Sequence, residues 1–370
     1  MGKVGVMQSP RGSGLPSKRI EWVDGARAVA ICLVVVIHTS APLVGRLSAE
    51  TAGKWWAGAI FDSLAQIAVP IFVILSGVLL LGRRERTAEL LSSFAGRRFA
   101  RVMIPFLVYC GIFFAWRLYH GESLTLARAL QDLYTGRVRT HLWFIYMLIG
   151  LYAFTPVLRT WIAHAAHSHK LYYVITCLVG VGLLFAIEKQ FSMSAGVAFV
   201  GFALYSGYFV FGGILGTWSK RGCGIPAALL VIMFVGSGAL TVLGTYVATA
   251  ASGAEKVDLR YFAAQLPHVV LCSLSGFLLI RHILLHPRHQ GASGLVRRAT
   301  TELSACSYGI YLVHPILLDV LRDGELGFHL TGASINPFLG IPLTAVVTIV
   351  VCGAAVALVR RIPVLRRLLT

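Results

Sequence analysis

Apolar runs follow one another along almost the whole chain, and short polar or charged stretches separate them. A helix that crosses a bilayer needs about 20 consecutive, mostly apolar residues, and ten runs are close to that length. The predicted spans are 23–44, 58–81, 100–119, 142–161, 171–188, 197–217, 225–247, 262–284, 303–321 and 338–360. The pattern therefore predicts an all-α integral membrane protein, built as a bundle of about ten transmembrane helices.

Composition and charge support this prediction. The chain is 57% hydrophobic and 13% charged, which leaves too little charge to cover the surface of a soluble domain. A net charge of +18 would suggest a nucleic-acid partner in a soluble protein, but here 23 of the 33 Lys and Arg fall in the termini and in alternate loops on the amino-terminal side. The positive-inside rule then places both termini in the cytoplasm. We therefore expect membrane lipids, and no nucleic acid, around this chain.

The same patterns divide the chain into one membrane domain and two tails. Residues 1–20 predict a disordered basic cytoplasmic tail, residues 21–361 a single transmembrane domain, and residues 362–370 a short basic cytoplasmic tail. The longest outer loop, from Tyr119 to Thr140, is too short for a domain. Any chemistry is therefore expected within the helical bundle.

The first predicted span carries two polar residues in register. Arg27 and His38 are 11 residues apart, so on a helix they lie about 20° apart around the axis and about 16 Å apart along it. Ionisable groups in a membrane are costly and usually mark a functional site. A histidine is a common general base near neutral pH, which makes His38 the candidate catalytic residue. The alternative is that Arg27 anchors the helix at the lipid headgroups and His38 bonds a neighbouring helix.

Asp62 is the candidate partner of that histidine. It lies about five residues from the outer end of the second span, and His38 lies about six from the outer end of the first. In an antiparallel hairpin these depths match, so Asp62 is predicted to fix the imidazole tautomer as a second catalytic residue. Alternatively, Asp62 caps its helix or faces the outer solvent.

Three arginines lie at the cytoplasmic start of the third span: Arg97, Arg98 and Arg101. A planar guanidinium pairs well with phosphate, so together with Arg27 they are candidates for binding the phosphates of coenzyme A. Topology determinants and lipid anchors have the same appearance.

Further polar rings are candidates for binding a substrate from outside the membrane. His141, Trp143 and Tyr146 begin the fourth span, although Trp and Tyr occur at that interface in any membrane protein. His314 lies within the ninth span beside Pro315, where it is either functional or bonded to a nearby backbone carbonyl. A group of three histidines in a cytoplasmic loop has no Cys, Asp or Glu close by, so we predict no metal site.

Five stretches, in order, resemble the membrane-bound acyltransferase family 3. They are the Arg27–His38 pair, VPIFVILSGVLLL at 69–81, RRFARVMIPF at 97–106, HLWFIYMLIGLY at 141–152 and SYGIYLVHP at 307–315. The resemblance implies ten core helices in a bacterial inner membrane, acyl-coenzyme A (usually acetyl-coenzyme A) as a cytoplasmic donor rather than a permanent cofactor, and a carbohydrate or lipid-linked glycan as acceptor. It also implies that His38 is the essential catalytic residue and Arg27 its partner.

The resemblance has one local departure and one competing interpretation. Many members of the family carry an acidic residue shortly after the Trp of the fourth helix, whereas Trp143 is followed by FIYMLIG. The variant is similar to the branch that acetylates enterobacterial common antigen and exopolysaccharides. The competing interpretation is an exporter of a glycan or small anion, with His38, Asp62 and His314 as a proton relay.

Overall fold

The computed structural model describes residues 20–48, 50–82, 91–190, 197–217, 224–252, 256–286 and 293–369. The predicted N-terminal tail lies outside these residues except for Ile20. The described residues form helices and no strand, apart from an isolated antiparallel bridge between Arg46 and Lys256. The all-α prediction is therefore confirmed.

The α-helices of the described part are numbered in chain order. They are α1 Glu21–Ser40, α2 Ala52–Ala65, α3 Ala68–Leu80, α4 Leu91–Tyr119, α5 Leu126–Thr135, α6 Trp143–His164, α7 His167–Ile175, α8 Val181–Gln190, α9 Val197–Thr217, α10 Ala227–Ser252, α11 Pro267–Leu285, α12 Gly294–Asp323, α13 Pro337–Val359 and α14 Pro363–Leu369.

Nine helical segments within the described ranges are long and apolar enough to cross a membrane, and Gly201–Thr217, within α9, is a further, shorter apolar segment. All ten predicted spans thus coincide with helices. Two of them are irregular. The second span breaks at Gln66 and Ile67, between α2 and α3, because Pro70 has no N–H and its ring clashes with the carbonyl of Gln66 in a regular helix. The fifth span widens into a π-helix at Thr176–Gly180, between α7 and α8.

Close backbone approach joins the second span to the sixth. A Cβ added at Gly77 of α3 would overlap the carbonyl oxygen of Phe209, and one at Gly212 of α9 would overlap that of Ile74. Small residues permit such an approach, which is how helices pack in a membrane where lipid is as apolar as the side chains. This pair of helices therefore depends on glycine at both positions.

Successive spans run in opposite directions, so the loops divide between two ends of the bundle. We call the end that holds Ile20 and Leu369 the proximal end, and the opposite end the distal end. Two elements outside the ten spans cover these ends. The distal loop between α4 and α6 contains α5, and the predicted C-terminal tail forms α14, which packs against α4 at the proximal end.

Candidate functional site

Three histidines from distant parts of the chain meet in the distal half of the bundle. The centroid of the His38 ring lies 5.0 Å from that of His314 and 6.1 Å from that of His141, and the last two are 5.6 Å apart. His141 and His314 are buried, at 5% and 0% exposure. His38 is partly exposed, so it is the most accessible ring of the three.

Each histidine is held by a different element. His38 lies near the end of α1, which packs against α12, and α12 carries His314 about two-thirds of the way along its length. His141 lies in the 3₁₀ turn Thr140–Leu142 that leads into α6. The hydroxyl of Tyr311 donates to the carbonyl oxygen of His141, so α12 fixes the height of this turn.

Pro315 determines the tautomer of His314. Proline lacks an N–H, so the carbonyl of Tyr311, four residues earlier, loses its helical donor. The Nδ1 of His314 lies 2.8 Å from that oxygen and 3.0 Å from the carbonyl oxygen of Ile310. A carbonyl only accepts, so Nδ1 carries the proton and Nε2 keeps a free lone pair in the neutral ring. The hydrogen bond from His314 to a nearby backbone carbonyl is thus present. Because it holds the proton on Nδ1, Nε2 is left as the proton acceptor.

The Nε2 atoms of His141 and His314 are both buried, and among the described residues neither has a hydrogen-bond partner. Buried polar nitrogens are normally satisfied. Two such atoms beside an accessible imidazole therefore suit a polar substrate group, such as a hydroxyl, held among the three rings.

A partly buried ion pair lies next to the histidines. The carboxylate of Asp319 on α12 is paired with the guanidinium of Arg139, two residues before His141. It also accepts from Trp116 Nε1 at 3.3 Å and from Arg322 at 3.0 Å. Asp319 is 4% exposed. The guanidinium of Arg139 lies 5.8 Å from the centroid of the Phe113 ring, which is 5.4 Å from that of His141.

Sequence reasoning missed this pair. A carboxylate within the apolar ninth span, five residues after His314, was the available indication.

Asp62 is buried on α2, as a membrane carboxylate should be, but its contacts run elsewhere. Its polar neighbours are the side chains of Gln66 and Ser40, and its Oδ1 is buried without a hydrogen bond among the described residues. The rings that approach His38 belong to His141 and His314. The predicted role of Asp62 as the orienting carboxylate stays a prediction.

The two other predicted substrate residues contact different partners. The Tyr146 hydroxyl donates to the carbonyl of Leu133 and so ties α5 to α6. The ring of Trp143 is 41% exposed and lies 5.5 Å from that of Tyr205.

The predicted donor residues lie at the proximal end. Arg27 is 3.9 Å from the carboxylate of Asp24, which accepts from the hydroxyl of Ser304 at 2.8 Å. Arg101 is exposed on α4. The side chains of two further candidates lie outside the described residues: Arg97 and Arg98.

Two buried arginines near the proximal end also escaped sequence reasoning. Arg159 on α6 donates to the carbonyl of Leu80 at 3.0 Å, and Arg281 on α11 stacks over the Trp22 ring at 5.5 Å. Within the described ranges, no three His, Cys, Asp or Glu side chains are placed to hold a metal ion.

Comparison with protein-family models gives a match. A family model described as an acyltransferase domain covers residues 20–357, which include all three histidines. Neither the curated proteins nor the solved structures give a match.

Proposed function

Because this chain belongs to the acyltransferase 3 family and is a multi-pass membrane acyltransferase, we propose that it moves an acetyl group from acetyl-coenzyme A to a hydroxyl of a carbohydrate. The acceptor is a lipid-linked or surface glycan on the distal side. The donor binds at the proximal side. In a bacterial cell this side lies at the inner face of the inner membrane and is exposed to the cytoplasm.

The observation that carries this proposal is the convergence of His38, His141 and His314. In the direct route, a nitrogen of His38 takes the proton of the acceptor hydroxyl while the hydroxyl oxygen attacks the thioester carbonyl. The C–S bond then breaks, and the leaving sulfur takes the proton from His38, so that coenzyme A departs as the thiol and the imidazole is neutral again. His314 Nε2 and His141 Nε2 accept hydrogen bonds and so orient the hydroxyl or the His38 ring.

A relay route uses the same residues. His38 attacks the thioester itself, an acyl-imidazole forms as coenzyme A leaves, and the glycan hydroxyl then takes the acyl group. In both routes negative charge develops on the carbonyl oxygen, and the guanidinium of Arg139 is the nearby group that stabilises it. The aromatic rings of Phe113 and Tyr311, about 5.4 Å and 5.3 Å from His141, keep water from the thioester.

The two ends of the bundle suit two different substrates. Arg27 lies about 16 Å from His38 along α1 and, with Arg101, provides guanidinium groups for the phosphates of the donor. The reactive thioester then extends inward to His38. The transporter interpretation does not agree with membership of an acyltransferase family.

The test is acetyl transfer from radiolabelled acetyl-coenzyme A to a glycan fraction of the parent organism, with the protein in proteoliposomes. His38→Ala is expected to abolish transfer while the protein still inserts and elutes as the wild type does. His164→Ala is the matched control, because His164 lies at the end of its helix, as His38 lies near the end of α1, but is exposed at the proximal end. Near-normal transfer by His38→Ala would remove this histidine from the mechanism.

A further inference from the structure

A basic cavity of about 300 Å³ opens at the distal end, between the end of α4, α5 and the turn into α6. Its lining consists of Arg117, Arg128, Gln131, Asp132 and Arg137. Three guanidinium groups against one carboxylate give this lining a formal charge of +2. Neither the family nor the proposed mechanism accounts for it.

The three arginines have different roles in the cavity. Arg117 is saturated, because its guanidinium contacts Asp132 at 2.9 Å and both oxygens of Glu122 at 2.6 and 2.8 Å. This network fastens α5 to α4. Arg128 and Arg137 are exposed, and among the described residues neither side chain forms an ion pair within 4 Å. Two guanidinium groups therefore remain for a ligand, and their planar donors match the oxygens of a phosphate.

The surface of α5 beside the cavity is apolar. Leu126, Leu130 and Tyr134 follow each other at four-residue intervals, so they form one stripe along the helix, and they are 76%, 56% and 89% exposed. Thr125 caps the start of the helix, and Gly136, with a φ of 72°, ends it. A short helix with an exposed apolar stripe and an arginine-lined opposite side is typical of an element that lies in the membrane interface.

We propose that this cavity binds the phosphate group of a lipid-linked glycan acceptor, whose lipid chain lies along the stripe of α5. The inference rests on the proposed function and deepens it by naming the chemical class of the acceptor. Four residues separate Arg137 from His141, so their Cα atoms are at most about 14 Å apart. The sugar next to the phosphate therefore reaches the three histidines while the phosphate stays in the cavity.

The experiment measures binding of farnesyl diphosphate to the full-length protein in phosphatidylcholine nanodiscs by calorimetry, without any acyl donor. Arg128→Ala and Arg137→Ala are each expected to weaken binding about 10- to 100-fold, since each removes a charge-assisted contact. Arg137→Lys recovers part of the loss. Arg46→Ala is the matched control, an exposed distal arginine outside the cavity, and it binds as the wild type does.

Two further comparisons separate the possible sources of the phosphate. Leu130→Ser is expected to weaken binding of farnesyl diphosphate and to leave that of inorganic diphosphate unchanged, because only the former carries a lipid chain. If inorganic diphosphate binds the wild type as tightly as farnesyl diphosphate, the ligand is a free anion and the proposal is wrong. Displacement of the probe by phosphatidylglycerol in the nanodiscs would assign the cavity to ordinary headgroups and would equally overturn it.

The transfer assay separates this proposal from the proposed function. Arg128→Ala and Arg137→Ala are expected to raise the KM for the glycan and to leave the maximal rate unchanged. If the wild type transfers acetyl but the cavity variants keep the wild-type KM and bind the probe normally, only the cavity assignment is refuted. Binding of the probe by a wild type that transfers no acetyl would refute the function alone.

Discussion

The ion pair between Arg139 and Asp319 is expected to set the geometry of the three histidines. Arg139 lies two residues before His141, and Asp319 lies five residues after His314 on α12. The pair therefore clamps the turn that carries one histidine to the helix that carries another. The informative perturbation is Asp319→Asn, which keeps the size of the side chain and its contact with Trp116 but removes the charge.

The size of the effect follows from the exposure of the two partners. The side chain of Asp319 is 6% exposed and that of Arg139 is 31% exposed. Breaking a fully buried pair costs about 3–5 kcal/mol, and exposed pairs contribute about 0–1 kcal/mol. A pair between these limits is expected to contribute about 1–3 kcal/mol, which corresponds to about a 5- to 150-fold change in the population of the clamped site.

The assay is a double-mutant cycle on kcat/KM for acetyl transfer, with Asp319→Asn, Arg139→Gln and the double variant. Asp319→Asn is expected to lose activity within that range. Arg139→Gln is expected to lose at least as much, because it also removes the guanidinium that stabilises the carbonyl oxygen, and the double variant is expected to lose little more than Arg139→Gln alone. Arg139→Lys should recover part of the activity, because it keeps the charge. Arg322→Gln is the control: Arg322 also contacts Asp319, but it is 59% exposed and lies on the same helix, so it does not join the two elements.

Losses that simply multiply in the double variant would mean that the two residues act independently. Singles with wild-type kcat/KM would mean that the histidine geometry does not depend on the clamp. Either result would refute the reasoning.

Three further outcomes are expected. Reporters fused to the two ends of the chain should both be active only on the cytoplasmic side, as the loop charges predict; a C-terminal reporter active outside would contradict ten spans. Gly212→Leu should prevent α9 from packing on α3 and lower the yield of folded protein in detergent. Gly201→Leu on the same helix should not, because no atom of the other described elements lies within 4 Å of a Cβ there; equal yields would show that the close approach is dispensable. Alanine at any one of the candidate donor-binding arginines, Arg97, Arg98 and Arg101, should weaken acetyl-coenzyme A binding by about one to two orders of magnitude. Lysine should restore part of the binding. Unchanged binding in all three variants would mean that these arginines only determine the topology.

The sequence by itself determined the fold class, because long apolar runs in a membrane have helices as their main structural solution. It also determined that His38 and Arg27 share one face of α1, since helical geometry fixes their register within a single element. The break in the second span was not predicted, although Pro70, which prevents a regular helix at Gln66, indicates it. Each of these inferences depends on contacts close in sequence.

Only the tertiary structure decided which groups surround His38. His141 and His314 are 103 and 276 positions away from it in the chain, and no spacing rule predicts that their rings lie within about 6 Å. Hairpin depth favoured Asp62 as the partner, but depth fixes the height of a residue along a helix and not the direction of its side chain around the axis. The pairing of Arg139 with Asp319 has the same origin, because it joins residues 180 positions apart that meet only when the whole bundle is packed. The basic cavity forms where α5 folds back against the end of α4.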